Sequence, residues 1–458
     1  MTASDRQRSN CAPAAATAVA LAVWALALAG ASPALAQSAA AERHRIPADY
    51  MSYLGADWLE RSERITEEQP ERVLDAMGLQ PGDVVADVGC GSGYYARRIA
   101  RRVQPGGTVY CEDIQPEMLD IMRERNAADG VSGIEAVLGA PDDPRLPPGA
   151  IDWVIIVDVY HEMSDPEPML AGIRGALAPG GRVALLEYRV EDGTGDQILA
   201  DHAMSVRQVL LEWQAAGFEL AALHDFLPSQ HLFFFRADGS GAADDVLADH
   251  DLFAALAAGL IEVEPRGAGA DAVTLRIRRT GDRPLVITSP VATRFTTGGT
   301  SDMIARRDGW IVLDDGEWRE WTLRAVARRP DGAPPEPGQP LEIHPPTTIP
   351  RIAAVLYEAQ AGTYTVADSP TLYPLRTRAI ESAAVWITDG DASYASIEPL
   401  IDGARVPAQY AAAFALIFID RAGIDVTRRQ VWADREEIFG RLRDQGLQVW
   451  YDLKTQGR

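Results

Sequence analysis

Val84 to Tyr95 reads VVADVGCGSGYY, and VYCEDIQPEML follows at Val109 to Leu119. The apolar run that ends in Asp87 predicts a parallel strand buried on both faces. Gly89-Cys90-Gly91-Ser92-Gly93 then predicts a turn into a helix that begins near Tyr94. Glycine is needed there because it takes positive φ and lets backbone pass close to a ligand. A second strand, Thr108 to Cys111, ends in the acids Glu112 and Asp113, which are placed to accept both hydroxyls of a ribose. A glycine turn, a helix N-terminus and a ribose-reading acid about twenty residues later mark a nucleoside-cofactor site on a doubly wound sheet.

The glycine spacing narrows the choice of cofactor. Dinucleotide folds use G-x-G-x-x-G, with a helix N-terminus against pyrophosphate. Here the spacing is G-x-G-x-G, followed by Tyr94-Tyr95. Further strands arrive in order. Ile134 to Leu138 predicts a third strand, followed by GAPDDPRLP. Ile151 to Val157 is an apolar run that ends in Asp158-Val159-Tyr160-His161-Glu162. Met169 to Leu177 has helical spacing, Ala178-Pro179-Gly180-Gly181 predicts a turn, and Val183 to Leu186 a fifth strand. AAGFEL and LPSQHLFFF predict a closing antiparallel hairpin.

Taken in order, these motifs resemble the class I S-adenosylmethionine-dependent methyltransferases, over roughly Pro47 to Ala237. The resemblance implies an α/β fold, a doubly wound, Rossmann-like seven-stranded sheet, with S-adenosyl-L-methionine as cofactor. It implies that Gly89, Gly91 and Gly93 let the backbone approach the cofactor. It also implies that Asp87 reaches the ammonium group, directly or through water, and that Asp113 holds the ribose, with Glu112 as the alternative. Ile114 would flank the adenine, and Asp142 and Asp143 are candidates for its amino edge, with a solvated loop as the alternative reading for one of them.

Methyl transfer is an in-line displacement, so positioning supplies much of the catalysis. A base matters only if the acceptor must lose a proton. His161 is the candidate, because histidine suits proton removal near neutrality. The competing reading is a helix-start histidine bonded to backbone. Asp158 and Tyr160 are expected at the same mouth, and Glu187, Tyr188 and Arg189 end the fifth strand, where they could orient a substrate; the alternative for Arg189 is a simple pairing with an acid.

The chain has 458 residues and predicts two or three domains. A net charge of −23 argues against nucleic acid or an anionic membrane surface as partner. Lys454 is the sole lysine, which removes a Walker-type lysine and disfavours Schiff-base chemistry. The histidines are scattered, and neither C-x-x-C nor H-E-x-x-H occurs, so no metal site is expected.

Residues 1–36 read as a signal peptide. Arg6 and Arg8 start it, Ala18 to Ala29 is its apolar stretch, and Ala34-Leu35-Ala36 precedes a cleavage point at Gln37. The apolar stretch is short for a membrane span. The expectation is a periplasmic or secreted protein without stable membrane insertion. Of the three cysteines, Cys11 leaves with that segment. Cys90 and Cys111 could pair in an oxidising compartment, but a bridge inside the cofactor turn would constrain it, so two free buried thiols are expected.

His44 to Leu79 predicts a helical lead-in with Tyr50, Tyr53, Trp58, Val73, Leu74 and Met77 on its apolar face. The methyltransferase domain is placed at 44–237, with a linker from Asp238 to Asp245. Alternating segments such as VTLRIRR predict an antiparallel β-sandwich-like domain at 246–328. Proline-rich Arg329 to Pro346 reads as a second linker, and 347–458 as a helical C-terminal region. The first functional expectation is an exported methyltransferase acting on a small molecule. The second is a non-catalytic envelope scaffold that keeps the domain and meets an envelope protein partner through its C-terminal units.

Overall fold

The structure is a computed structural model describing residues 47–195, 198–239, 247–298, 302–361, 377–401 and 406–456. The signal-like segment, Cys11 and most of the first linker lie outside the described residues. Seven strands make the first sheet: β1 (Val84–Val88), β2 (Thr108–Asp113), β3 (Ile134–Leu138), β4 (Ile151–Val157), β5 (Leu177–Tyr188), β6 (Phe218–His224) and β7 (Gln230–Ala237). Their spatial order is β3-β2-β1-β4-β5-β7-β6. All neighbours run parallel except β7, which is antiparallel to β5 and β6.

The apolar runs read from the sequence are buried because both faces of the sheet are covered. One face packs Ala86, Val88, Ile156 and Leu185 against Trp213 and Phe235. The other packs Val85, Ile155 and Leu186 against Ile99, Val103 and Leu74. Strand order reverses between β1 and β4, so the loops after their C-terminal ends diverge and leave a crevice there. Every residue expected to carry chemistry lies at that end of the sheet or in the loops beyond it.

The lead-in is broken rather than one helix. It forms 3-10 turns at Tyr53–Gly55 and Trp58–Glu60, then helices at Arg64–Glu67 and Pro70–Met77. Pro70 lacks an N–H and sits at the start of the second helix, while Gln69 before it is left-handed, at φ 46°. Val73, Leu74 and Met77 are buried as expected, but Tyr50, Tyr53 and Trp58 are exposed.

Beyond the first sheet, β8 (Ala248–Asp251), β9 (Ile261–Gly267), β10 (Ala272–Arg279), β11 (Leu285–Ser289), β12 (Arg294–Thr296), β13 (Met303–Ala305), β14 (Gly309–Leu313), β15 (Arg319–Ala327) and β16 (Glu342–His344) form two further sheets. One has the order β16-β12-β13-β15-β10-β9 and the other β14-β11-β8. They share a core of Leu275, Ile277, Ile287 and Phe295. Two features depart from the sequence reading. β8 pairs parallel with β11, so the unit is not wholly antiparallel. β16 lies inside the stretch read as the second linker and extends the sheet by pairing with β12. Proline spacing hides a three-residue edge strand of this kind.

In the C-terminal region the helix Ala408–Arg421 is central: Ala411 to Ile419 are all fully buried. Pro350–Ala361, Arg378–Gly390 and Tyr394–Ile401 pack around it. A buried polar seam joins the three parts. Arg306 and Arg307 pair with Glu381, and Arg307 Nη1 also donates to the carbonyl of Val190 at 2.8 Å. Asp308 accepts from Ser205 Oγ at 2.6 Å and from Gln360 Nε2 at 2.9 Å. Val190 and Ser205 bound the loop after β5, so the C-terminal units hold that loop through charges that have no water to fall back on.

Candidate active site

A cavity of about 500 Å³ opens at the C-terminal ends of β1, β2, β4 and β5. Its first wall is the glycine turn. Gly89, Gly91 and Gly93 have φ of 68°, 52° and 81°. A Cβ on Gly89 would lie 2.5 Å from a methyl of Val159, and one on Gly91 2.8 Å from Leu59. Conformation favours glycine at both positions, and at Gly89 the branched Val159 side chain leaves no space for more.

Carboxylates tie the turn to β2. Asp113 Oδ2 accepts from Gly91 N–H at 2.9 Å, and its Oδ1 accepts from Gln115 N–H at 2.8 Å. Glu112 Oε2 accepts from Gly89 N–H at 3.2 Å. Asp87, Glu112, Asp113 and Ile114 all line the cavity. Burial pushes Asp87 up to about 7 and Glu112 up to about 8, and it raises Asp113 as well. Asp87 Oδ2, Glu112 Oε1 and the hydroxyls of Tyr94 and Tyr95 are buried with no hydrogen-bond partner among the described residues. Such atoms need a ligand or water to satisfy them. Anionic oxygens, a glycine cradle and wall hydroxyls suit a nucleoside that carries an ammonium and a sulfonium group.

The opposite wall carries the reactive groups. His161 is the middle residue of the 3-10 turn Tyr160–Glu162 and is 3 % exposed. Its Nδ1 lies 2.7 Å from Glu187 Oε2, and Glu187 Oε1 accepts from its backbone N–H at 3.2 Å. A carboxylate beside Nδ1 selects the Nδ1–H tautomer and leaves a lone pair on Nε2. That Nε2 is buried and has no partner among the described residues. Against the competing sequence reading, both the ring Nδ1 and the backbone N–H of His161 meet the Glu187 side chain rather than backbone.

Asp158 also lines the cavity and sits at φ 52°, where a non-glycine residue is strained. Gln230 Nε2 holds it, at 2.9 and 2.7 Å from its two carboxylate oxygens. Burial raises Asp158 well above the usual carboxylate range, and the charges of Glu68 and Glu187 add to the effect. Tyr188 and His202 complete this wall, with Asp201 Oδ1 at 2.7 Å from His202 Nδ1.

Three expected placements are corrected. Tyr160 turns into the core, donates to Glu212 at 2.7 Å and packs on Trp213, because a 3-10 turn aims successive side chains apart. Arg189 binds the carbonyls of Gln230, Asp225 and Leu227 and braces the β6–β7 connection. Asp142 and Asp143 are exposed on the turn after β3, outside the cavity lining, and Asp143 caps Arg145 N–H. Several residues of the site went unread in the sequence: the ion pair of Arg64 and Glu68 and His202 in the cavity wall, and Gln230 behind Asp158. Their signals were an i,i+4 Arg–Glu spacing and a polar Gln-His pair opening an otherwise apolar strand.

The cysteine expectation is also overturned. Cys90 and Cys111 form a disulfide, with Cα atoms 5.4 Å apart. Register explains it: Asp87 lies opposite Cys111 in the parallel pair, and Cys90 N–H bonds to the carbonyl of Glu112, so the turn folds back onto the end of β2. The link fixes the cradle where two free thiols had been expected. Reducing it, or making Cys90→Ser with Cys111→Ser, should remove about 3 kcal/mol of stability and weaken cofactor binding roughly tenfold through the loosened turn. Melting and titration with and without dithiothreitol check this; unchanged values would show that the turn stands without the link.

A second expectation concerns pH. Asp87, at about 7, and Glu112 and Glu162, each at about 8, hold protons when folded that they release on unfolding. Their pKa values are raised, so the stabilisation is present at acid pH and lost as pH rises through 7 to 8. Melting of the cofactor-free protein should fall by several degrees between pH 5.5 and 8.5. Cationic cofactor should offset the loss, with proton release on binding measurable in buffers of different ionisation enthalpy. A flat melting profile would refute the burial of these groups.

The strand order, the glycine cradle and the acids at the ends of β1 and β2 define a class I methyltransferase domain, the S-adenosylmethionine-dependent type. Residues 85–181 match the family described as a methyltransferase domain. Curated relatives include a protein-L-isoaspartate O-methyltransferase of Aeropyrum pernix, 33% identical over 25% of this chain and 42% of its own length. A ubiquinone/menaquinone biosynthesis C-methyltransferase of Cupriavidus taiwanensis is 32% identical over 24% of this chain and 45% of its own. The chain spans between a third and under half the length of the curated relatives it matches. Among solved structures, a SAM dependent methyltransferase from Aquifex aeolicus aligns with 41% of this chain and 98% of its own, at 23% identity and a TM-score of 0.38.

Proposed function

We propose that this protein is an exported S-adenosylmethionine-dependent methyltransferase, and that its acceptor is a small molecule that gives up a proton to His161. The observation that carries the reading is the His161–Glu187 pair, whose unpartnered Nε2 belongs to the same cavity as the glycine cradle. The bound cofactor supplies an electrophilic methyl group. Gly89, Gly91, Gly93, Asp87 and Asp113 hold it, with Glu112 beside them. His161 Nε2 takes the proton of an acceptor hydroxyl or acidic carbon as that oxygen or carbon bonds to the methyl group, whose former bond pair leaves on sulfur with S-adenosylhomocysteine. Glu187 keeps the imidazole in the required tautomer and stabilises its protonated form. Buried Asp158, fixed by Gln230, shapes the acceptor side.

Export is supported by the signal-like start of the sequence and by the disulfide in the cofactor turn, since such bridges persist in oxidising compartments. Mass spectrometry of the envelope fraction should find a chain beginning at Gln37; a full-length chain confined to the cytoplasm would contradict it. Transfer of labelled methyl from S-adenosylmethionine to a panel of phenols and alcohols, lost in His161→Ala, tests the catalytic reading. Cofactor binding with no transfer to any acceptor would favour the scaffold alternative.

A further inference from the structure

The geometry points to an uncharged amphiphile as the acceptor: a hydroxylated head at His161 and an apolar tail that leaves the cavity across Tyr50, Met51 and Trp58. This rests on the methyl-transfer reading of the cavity, and two independent observations carry it.

The first is charge. Seven carboxyl groups line the cavity, among them Asp158, Glu68 and Glu162, against a single arginine and no lysine. That arginine, Arg64, is already engaged. Its Nε and Nη2 each lie 2.7 Å from Glu68 oxygens, and its Nη1 donates to the carbonyl of Leu59 at 2.7 Å. An acceptor bearing carboxylate, phosphate or sulfate would bury its charge in a lining whose one arginine is already paired, which is strongly unfavourable. A neutral head meets no such barrier.

The second is the mouth. Eleven large apolar side chains of the described residues are exposed, and six of them fall in one short stretch, from Tyr50 to Ile65. A seventh, Leu199, follows Ile198 on the opposite wall. Tyr50, Met51 and Trp58 are both exposed and part of the cavity lining, so the apolar surface is continuous with the site. Exposed apolar surface concentrated at a ligand cavity marks a binding surface. A compact polar acceptor would leave it wet; an alkyl or prenyl tail would cover it.

The test titrates the full chain, saturated with S-adenosylhomocysteine, with 4-ethylphenol, 4-octylphenol and 4-octylbenzoate. A buried methylene is worth roughly fourfold and one on a half-open rim roughly twofold, so the six extra methylenes should tighten binding roughly 60-fold. 4-Octylbenzoate should bind at least about tenfold more weakly than 4-octylphenol. Leu54→Ser with Leu199→Ser, neither of which lines the cavity, should cut the octyl advantage below about tenfold and leave S-adenosylhomocysteine affinity unchanged. Equal affinity for the two phenols, or tighter binding of the benzoate, would overturn the proposal. So would sedimentation with phosphatidylcholine vesicles without a chain-length gain, which would assign the rim to a bilayer. Methyl transfer to 4-ethylphenol without a chain-length gain would refute the amphiphile alone. Tight 4-octylphenol binding with no transfer would refute the catalytic reading alone.

Discussion

His161→Ala should lower kcat by roughly 100- to 10,000-fold, the usual contribution of a positioned general base, with cofactor affinity changed less than about twofold. The side chain lies across the cavity from the glycine turn and makes no bond to it, so binding and chemistry separate cleanly. Glu187→Gln should show a smaller loss of the same kind, because an amide can present its N–H to Nδ1 and stabilise the wrong tautomer. His161→Ala that lost cofactor binding and thermal stability together would instead make the residue part of the scaffold.

Asp113→Ala should weaken cofactor binding on the order of 100-fold, since charge-assisted hydrogen bonds to a ribose disappear. The structure adds a second reason. The same carboxylate accepts from Gly91 and Gln115 N–H groups, so its loss also frees the cradle. Asp113→Asn keeps the shape and can still accept from one of them, so it should lose less. Wild-type affinity in Asp113→Ala, with Glu112→Ala weak, would make Glu112 the ribose acid; its Oε1 is the oxygen left without a partner.

Local signals made the cofactor half of the site readable. Positive φ at Gly89, Gly91 and Gly93, an acid ending β2 and an apolar β4 are each specified within a few residues. The acceptor half is built from long-range contacts that no spacing announces. Asp158 meets Gln230 across 72 residues, and His161 meets Glu187 across 26. Tyr160 was misplaced for the same reason: proximity in the chain to His161 says nothing about which side of a 3-10 turn a ring occupies. The disulfide was judged from its cost to the turn, whereas the register of β1 against β2 had already brought Cys90 and Cys111 together. β16 escaped because its pairing depends on β12, where His344 meets Arg294 far upstream in the chain, and because it lies at the edge of the sheet.

The seam at Arg306, Arg307 and Asp308 gives the C-terminal units a physical connection to the site. They grip the loop between Val190 and Ser205, which brings Ile198 and His202 to the cavity. Their contribution is thus tied to the acceptor wall rather than to the cofactor cradle.

The most direct test of the account is calorimetric titration of the oxidised full chain with S-adenosylmethionine and with S-adenosylhomocysteine. The account predicts one saturable site for each, lost together in Asp113→Ala and intact in His161→Ala. Absence of binding to either, with the disulfide formed and the protein folded, would contradict it.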